Sequence, residues 1–168
     1  MTVGREASDG SVRDNAAIHP APSASPEPRP ASPVRILIVD DDPNAREFMA
    51  RALTRDGLVV DTASSGDDAL RQLRAVRFDC VVVDLRMPGM DGQELHRLTE
   101  ETDPDQARRF IFVTGDTFSA ETLEFLDAPP EPSLMMKPVD LTALRQCVAD
   151  LLETLTEGGK DGGAGSAP

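Results

Sequence analysis

Residues 80–92 have the sequence CVVVDLRMPGMDG, in which an apolar run delivers a single carboxylate, Asp84, into a loop rich in glycine and proline. A short run of β-branched residues bounded by turn residues predicts a buried strand. Asp84 then lies at the carboxyl end of that strand. Open α/β sheets bind their ligands at this edge, so the stretch predicts both a fold class and a site.

A second apolar run, residues 34–39, ends in three consecutive acids, Asp40, Asp41 and Asp42. If the two strands lie side by side in a parallel sheet, at least three carboxylates meet at one edge and repel each other. A cation would relieve that repulsion, and oxygen ligands of this kind suit Mg²⁺ or Mn²⁺. Because Asp42 precedes Pro43, it is predicted as the N-cap of a helix, which favours Asp40 and Asp41 as the metal ligands.

Strand and helix patterns alternate five times between residues 34 and 156. With right-handed crossovers this alternation predicts an α/β fold with one doubly wound parallel sheet of five strands, in the order 2-1-3-4-5, and five helices. The strands are predicted over 34–40, 58–63, 79–84, 109–114 and 133–136, and the helices over 43–56, 66–76, 92–101, 119–127 and 140–155.

Composition limits the function classes. The chain has 168 residues and a formal net charge of −13, which argues against a nucleic-acid or anionic-membrane surface because both need clustered Lys and Arg. No apolar run approaches the roughly 18 residues of a membrane span, so we expect a soluble, cytoplasmic protein. Cys80 and Cys147 lie in no metal or redox motif and are predicted to be buried thiols.

The two ends of the chain differ in composition from the middle. Residues 1–33 are rich in Pro, Ala and Ser, and residues 157–168 are rich in Gly. Such segments bury too little apolar surface to offset the entropy of ordering. We therefore expect a disordered arm and a disordered tail around one domain at residues 34–156.

Two more strand ends add polar groups to the same edge. The fourth predicted strand stops at Thr114, before Gly115, and the fifth is followed by Lys137 and Pro138. Carboxylates with a divalent metal, a hydroxyl and an ammonium together suit a transferring phosphoryl group. A carboxylate can itself be the nucleophile, which gives an acyl phosphate.

Four motifs occur in order along the chain: ILIVDDDP, VVVDLRMPGMDG, FIFVTGD and LMMKPVD. Together they resemble the receiver domain of two-component response regulators, which has the CheY-like (flavodoxin-like) fold. The resemblance implies that Asp84 is the phosphoacceptor. It also implies that Asp40, Asp41, Asp84 and the backbone carbonyl of Arg86 hold Mg²⁺.

The same resemblance implies that Thr114 moves toward a phosphoryl oxygen, that Lys137 pairs with the phosphoryl group, and that the Lys137–Pro138 bond is cis. The phosphoryl donor would be the phosphohistidine of a sensor histidine kinase or a phosphotransfer protein. The chain would then be a single-domain response regulator, a phosphoacceptor rather than an enzyme. Phosphorylation would switch its binding to an unknown downstream protein or to a second copy of itself.

Departures from the family pattern leave alternatives open. Leu134 stands where the fifth strand usually carries Tyr or Phe, which keeps open a phosphorylation-independent adaptor. Arg86 and Asp116 flank the route of a hydrolytic water and could pair across the site. The acids Asp40 and Asp42 fit, superficially, the nucleophile motif of haloacid-dehalogenase phosphatases. The phrase FVTGDTFSAETLEFL is similar to receivers of hybrid kinases.

The remaining expectations concern side-chain placement on the helices. Among the exposed polar residues of the third helix we expect His96, which makes a phosphorelay role for it improbable. Apolar residues at helical spacing predict the core: Phe48, Leu53, Leu70, Leu73 and Leu98.

Overall fold

The computed structural model describes residues 33–115 and 133–157. Five parallel strands form one sheet in the order β2-β1-β3-β4-β5. This confirms the predicted strand order, and each strand lies within one residue of its predicted bounds. The strands are β1 (Arg35–Val39), β2 (Val59–Ala63), β3 (Cys80–Asp84), β4 (Phe110–Thr114) and β5 (Ser133–Met136).

Capping side chains start the helices where the sequence predicts. Asp42 accepts a hydrogen bond from the Asn44 N–H at 2.9 Å, and Asp140 accepts one from the Ala143 N–H at 2.8 Å. The helices in the described residues are α1 (Pro43–Arg55), α2 (Gly66–Ala75), α3 (Gly92–Thr102), a short α4 (Pro104–Ala107) and α5 (Leu141–Glu157).

One difference from the predicted helices, and one helix that is not described, concern the stretch around β4. The sequence did not predict α4, which Asp103 caps and Pro104 begins. The helix predicted at 119–127 lies outside the described residues. None of the helices within 33–115 and 133–157 has the length and apolar content needed to cross a membrane.

The sheet lies between two layers of helices. On one face, α1 and α5 cover what we call the α1/α5 core, which includes Ile38, Val82 and the buried thiol of Cys80, with Cys147 partly buried against it. On the other face, α2 and α3 cover the α2/α3 core. Strands covered on both faces must be apolar throughout, which explains the near-continuous hydrophobic runs in β1, β3 and β4.

Two expectations about side chains are wrong. Phe48 is 52 % exposed, because α1 faces the sheet with Met49, Ala52 and Leu53 and the helical period turns Phe48 away.

His96 is half-buried and lies edge-on to two rings of β4, with ring centroids 5.2 Å from Phe110 and 5.5 Å from Phe112. Burial lowers the pKa of His96. The other predicted core positions are confirmed: Leu53 and Leu70 are buried, and Leu73 and Leu98 contact the α2/α3 core.

Two glycines allow helices to begin close to the loop between β3 and α3. A Cβ on Gly92 would lie 2.6 Å from the carbonyl oxygen of Asp84. A Cβ on Gly66, the first residue of α2, would lie 2.6 Å from the carbonyl oxygen of Met90. Both helices therefore begin in direct contact with this loop because neither residue has a side chain.

Gly92→Ala is expected to lower the free energy of unfolding by about 2 kcal/mol, since the new methyl group overlaps backbone that cannot move without β3. This loss outweighs the gain of about 1 kcal/mol that Ala otherwise brings to a helix. Urea unfolding followed by circular dichroism measures the change. Gly115→Ala is the control, because its new Cβ would lie 3.9 Å from the Lys137 Cβ, an ordinary contact. Equal stability of the two variants would contradict the tight loop.

Candidate functional site

The register of β1 and β3 brings two buried carboxylates together. Val39 pairs with Val83, so Asp40 and Asp84 follow side by side at the carboxyl edge of the sheet. Asp40 is fully buried and Asp84 is 5 % exposed. One carboxylate oxygen from each of Asp40, Asp41 and Asp84 lies within 4.8 Å of the other two. The structure thus brings together the three acids that the sequence assigned to a metal.

The third acid of the triplet has a different place. Asp42 caps α1 with its carboxylate and is not part of the convergent group. The second acid of the superficial haloacid-dehalogenase motif therefore serves as a helix cap.

Lys137 is the cationic partner of the cluster. Its Nζ lies 2.6 Å from Asp84 Oδ2 and 3.0 Å from Asp40 Oδ2. The backbone places this side chain, because the Lys137 N–H donates to the carbonyl oxygen of Thr114 at 2.8 Å. The Lys137–Pro138 bond is cis, as predicted.

Backbone N–H groups hold the other oxygen of each buried carboxylate. The Asp42 N–H donates to Asp40 Oδ1 at 2.9 Å, and the Arg86 N–H donates to Asp84 Oδ1 at 2.9 Å. Each carboxylate therefore accepts one hydrogen bond from the chain just after it and one from the ammonium. These paired contacts fix the rotation of both side chains.

Burial and hydrogen bonding act in opposite directions on the charged forms. Burial raises the pKa of Asp84 and the charge of Asp40 adds to the rise, which outweighs the hydrogen bonds from Lys137 and Arg86 that lower it. Burial alone would lower the pKa of Lys137, but its hydrogen bonds to Asp84 and Asp40 reverse the sign and raise that pKa. Lys137 therefore stays an ammonium, while ionisation of Asp84 costs more free energy than ionisation of an exposed aspartate.

The donor set fits a hard divalent cation. Three carboxylates and one ammonium leave two negative charges, which a divalent ion would balance. All the candidate ligand atoms are oxygens, and Mg²⁺ and Mn²⁺ prefer such ligands together with water and phosphate.

The other predicted site residues lie at the same edge or just beyond it. Thr114 is fully buried and is the last residue of β4, one position beyond the partner of Asp84 in the register. Arg86 is exposed, while Asp116 lies outside the described residues. Leu134 contacts the α2/α3 core and pairs with Phe112 in the register. Leu134 thus places a half-buried aliphatic side chain where an aromatic ring is usual.

Sequence reasoning missed Arg46. Its Nη1 donates to the carbonyl oxygen of Asp40 at 2.6 Å. The available signal was its position one turn after the N-cap Asp42, where a long side chain can reach back to the end of β1. The close contacts of Gly66 and Gly92 were missed as well.

Comparisons with known proteins agree with this geometry. The profile of the response regulator receiver domain matches residues 36–149. The response regulator receiver protein CpdR of Brucella abortus is 37 % identical over 111 residues, which are 66 % of this chain and 89 % of CpdR. The chain therefore belongs to the response regulator receiver domain family.

Other relatives are longer proteins. The transcriptional regulatory protein GlrR of Escherichia coli is 35 % identical over 124 residues, which are 72 % of this chain but 27 % of GlrR. A CheY-like receiver domain protein of Methanospirillum hungatei superposes with a TM-score of 0.69 at 28 % identity, covering 76 % of this chain and 100 % of that one. Receiver domains bind Mg²⁺ at an acidic pocket, and they interact with histidine kinases or phosphotransfer proteins and with downstream effectors.

Asp84→Asn is expected to stabilise the metal-free protein at neutral pH, because the amide removes a buried charge that the fold disfavours. The raised pKa means that folded protein holds the Asp84 proton more tightly than unfolded protein does. As pH falls through the pKa that Asp84 has in folded protein, the wild-type carboxylate becomes protonated and no longer destabilises the fold. The stability advantage of the Asn variant therefore disappears below about pH 4. Thermal unfolding in EDTA at several pH values measures both effects, and an Asn variant less stable at pH 7 would contradict them.

Proposed function

We propose that this protein accepts a phosphoryl group from a phosphohistidine onto Asp84 in a Mg²⁺-dependent reaction and thereby switches partner binding. The convergence of Asp40, Asp41 and Asp84 around the Lys137 ammonium carries the proposal. It supports a nucleophilic carboxylate, a metal site and a fixed cation within one site.

The transfer is a displacement at phosphorus. An Asp84 carboxylate oxygen forms the new P–O bond, the P–N bond to the donor histidine breaks, and its electron pair returns to the imidazole nitrogen. Lys137 leaves the carboxylate oxygens for a phosphoryl oxygen, and the Thr114 hydroxyl donates to another. Asp40, Asp41, Asp84 and the carbonyl of Arg86 would hold Mg²⁺, which would neutralise charge on the phosphoryl group.

Further parts of the proposal concern the organisation of the chain. We assign residues 34–156 to the receiver domain, which acts as a phosphoacceptor rather than an enzyme. The downstream partner is another protein or a second copy of this chain. Two free thiols, Cys80 and Cys147, support a cytoplasmic location.

Incubation with acetyl phosphate and Mg²⁺ is expected to add one phosphoryl group, which intact and peptide mass spectrometry would locate on Asp84. Asp84→Ala removes it. Asp41→Asn is expected to raise the Mg²⁺ concentration needed for half-maximal labelling about tenfold, because a ligand is lost. Asp42→Asn is the matched control: it also removes one acid of the triplet, but Asn is an equally good N-cap, so labelling should be unchanged.

Two other results would redirect the assignment. An adduct on Asp40 that survives Asp84→Ala would favour phosphatase chemistry. Absence of any adduct, with partner binding unaffected by Asp84→Ala, would favour the adaptor, which the aliphatic Leu134 makes the second candidate.

An exposed apolar residue beside the site supports a protein donor. Phe48 lies on α1, which begins directly after the acidic triplet, at about 8 Å along the helix from Pro43. It lines a groove between α1 and α5 together with Arg51, Arg55 and Arg145, and with Glu47. Arg51 pairs with Glu47 and Arg145 pairs with Asp56, so Phe48 is the feature of this groove that favours a docking protein. We propose that the phosphohistidine-bearing protein contacts this groove during transfer.

Phe48→Ser is expected to slow phosphotransfer from the cognate kinase or phosphotransfer protein about 5- to 30-fold, since truncated apolar anchors cost about 1–2 kcal/mol of binding. Labelling by acetyl phosphate should not change, because the small donor needs no docking surface. The control is Val59→Ser, which removes another exposed apolar side chain on the edge strand β2. Equal effects of the two variants would contradict docking at α1.

A further inference from the structure

Arg46 connects α1 to the end of β1. Its guanidinium Nη1 donates to the carbonyl oxygen of Asp40 at 2.6 Å, while its own N–H continues the helix by donating to the Asp42 carbonyl at 3.0 Å. The side chain is partly buried. A charged donor at this distance makes a stronger hydrogen bond than a neutral one.

The carbonyl that Arg46 holds belongs to the peptide joining Asp40 to Asp41. A peptide group is planar, so fixing its oxygen also fixes the direction in which the chain enters Asp41. Other contacts act elsewhere on Asp40: its N–H donates to the Ala63 carbonyl at 3.3 Å, and its carboxylate meets Asp42 and Lys137. The contact from Arg46 thus controls the geometry between two of the three convergent acids.

We propose that Arg46 is a positioning residue for the metal site, one that orients the Asp40–Asp41 peptide so that the exposed carboxylate of Asp41 converges with the buried carboxylates of Asp40 and Asp84. The inference rests on the metal site of the proposed function and adds a residue to it. Arg46 would touch neither metal nor phosphoryl group.

An electrostatic role and a positioning role for Arg46 predict opposite changes in Mg²⁺ affinity when its side chain is replaced. A guanidinium near the site repels a cation, so removing its charge would by itself strengthen Mg²⁺ binding. Loss of the fixed peptide would weaken binding, because ligands must then be ordered at the moment the ion binds. The direction of the change therefore separates a positioning role from a purely electrostatic one.

Calorimetric titration of the full chain with Mg²⁺, and with Mn²⁺ as a second probe, measures the effect. Arg46→Gln is expected to weaken binding about tenfold. Arg46→Lys, which keeps the charge and can donate to a carbonyl, is expected to recover most of that loss. Arg97→Gln removes the same charge from an exposed position on α3, where Arg97 pairs with Glu101, and should leave affinity unchanged.

A double-mutant cycle adds a readout that a merely structural role would not move. If Arg46 acts by placing Asp41, the effect of Arg46→Gln should shrink to less than about threefold in an Asp41→Asn background. An undiminished effect there, or wild-type or tighter affinity for Arg46→Gln, would overturn the inference while leaving the metal site in place. Failure of wild type to bind Mg²⁺ would instead overturn the proposed function. Should Arg46→Gln lose cooperative unfolding, Arg46→Met serves the same comparison.

Discussion

The register of β1 and β3 forces two desolvated carboxylates to share one ammonium at the carboxyl edge of the sheet. Much of the surrounding structure serves this arrangement. The backbone N–H groups of Asp42 and Arg86 donate to the Oδ1 atoms of Asp40 and Asp84. Gly92 allows α3 to begin against the Asp84 carbonyl. The fold thus keeps an electrostatically unfavourable cluster in fixed geometry, and a rigid cluster of this kind is suited to a cation because few ligands need to reorganise.

The opposite edge of the sheet shows how the same fold treats charge where no site is built. There Arg35 donates to Asp61 at 2.7 Å through its side chain and to Asp79 at 2.8 Å through its backbone N–H. Arg109 lies 3.7 Å from Asp79. Asp61, in the middle of β2, and Asp79, just before β3, therefore have separate basic partners, Arg35 and Arg109, whereas the acids at the carboxyl edge outnumber theirs. Among the described residues, the buried acids are Asp40 and Asp84, and these two share one cation.

Much of the fold was predictable because its signals are local. β-Branched runs, capping acids and the order of alternation gave strand bounds within one residue, and the order of strands placed Asp40 and Asp84 together. Contacts between distant segments were not predictable in this way. His96 sits among polar neighbours on α3, but the rings that bury it come from β4. Phe48 was misassigned because helical spacing cannot say which of two adjacent apolar positions faces the sheet.

The kinds of aromatic residue in the chain have a consequence for spectroscopy. The chain contains no Trp and no Tyr, so its near-ultraviolet emission is almost dark. Leu134 is half-buried on β5, where it pairs with Phe112 and lies two positions before the partner of Thr114 in the register. A single indole introduced there would be the sole strong fluorophore in the protein. The position that lacks the family's usual aromatic ring is thereby the natural place for an optical reporter free of background from the rest of the chain.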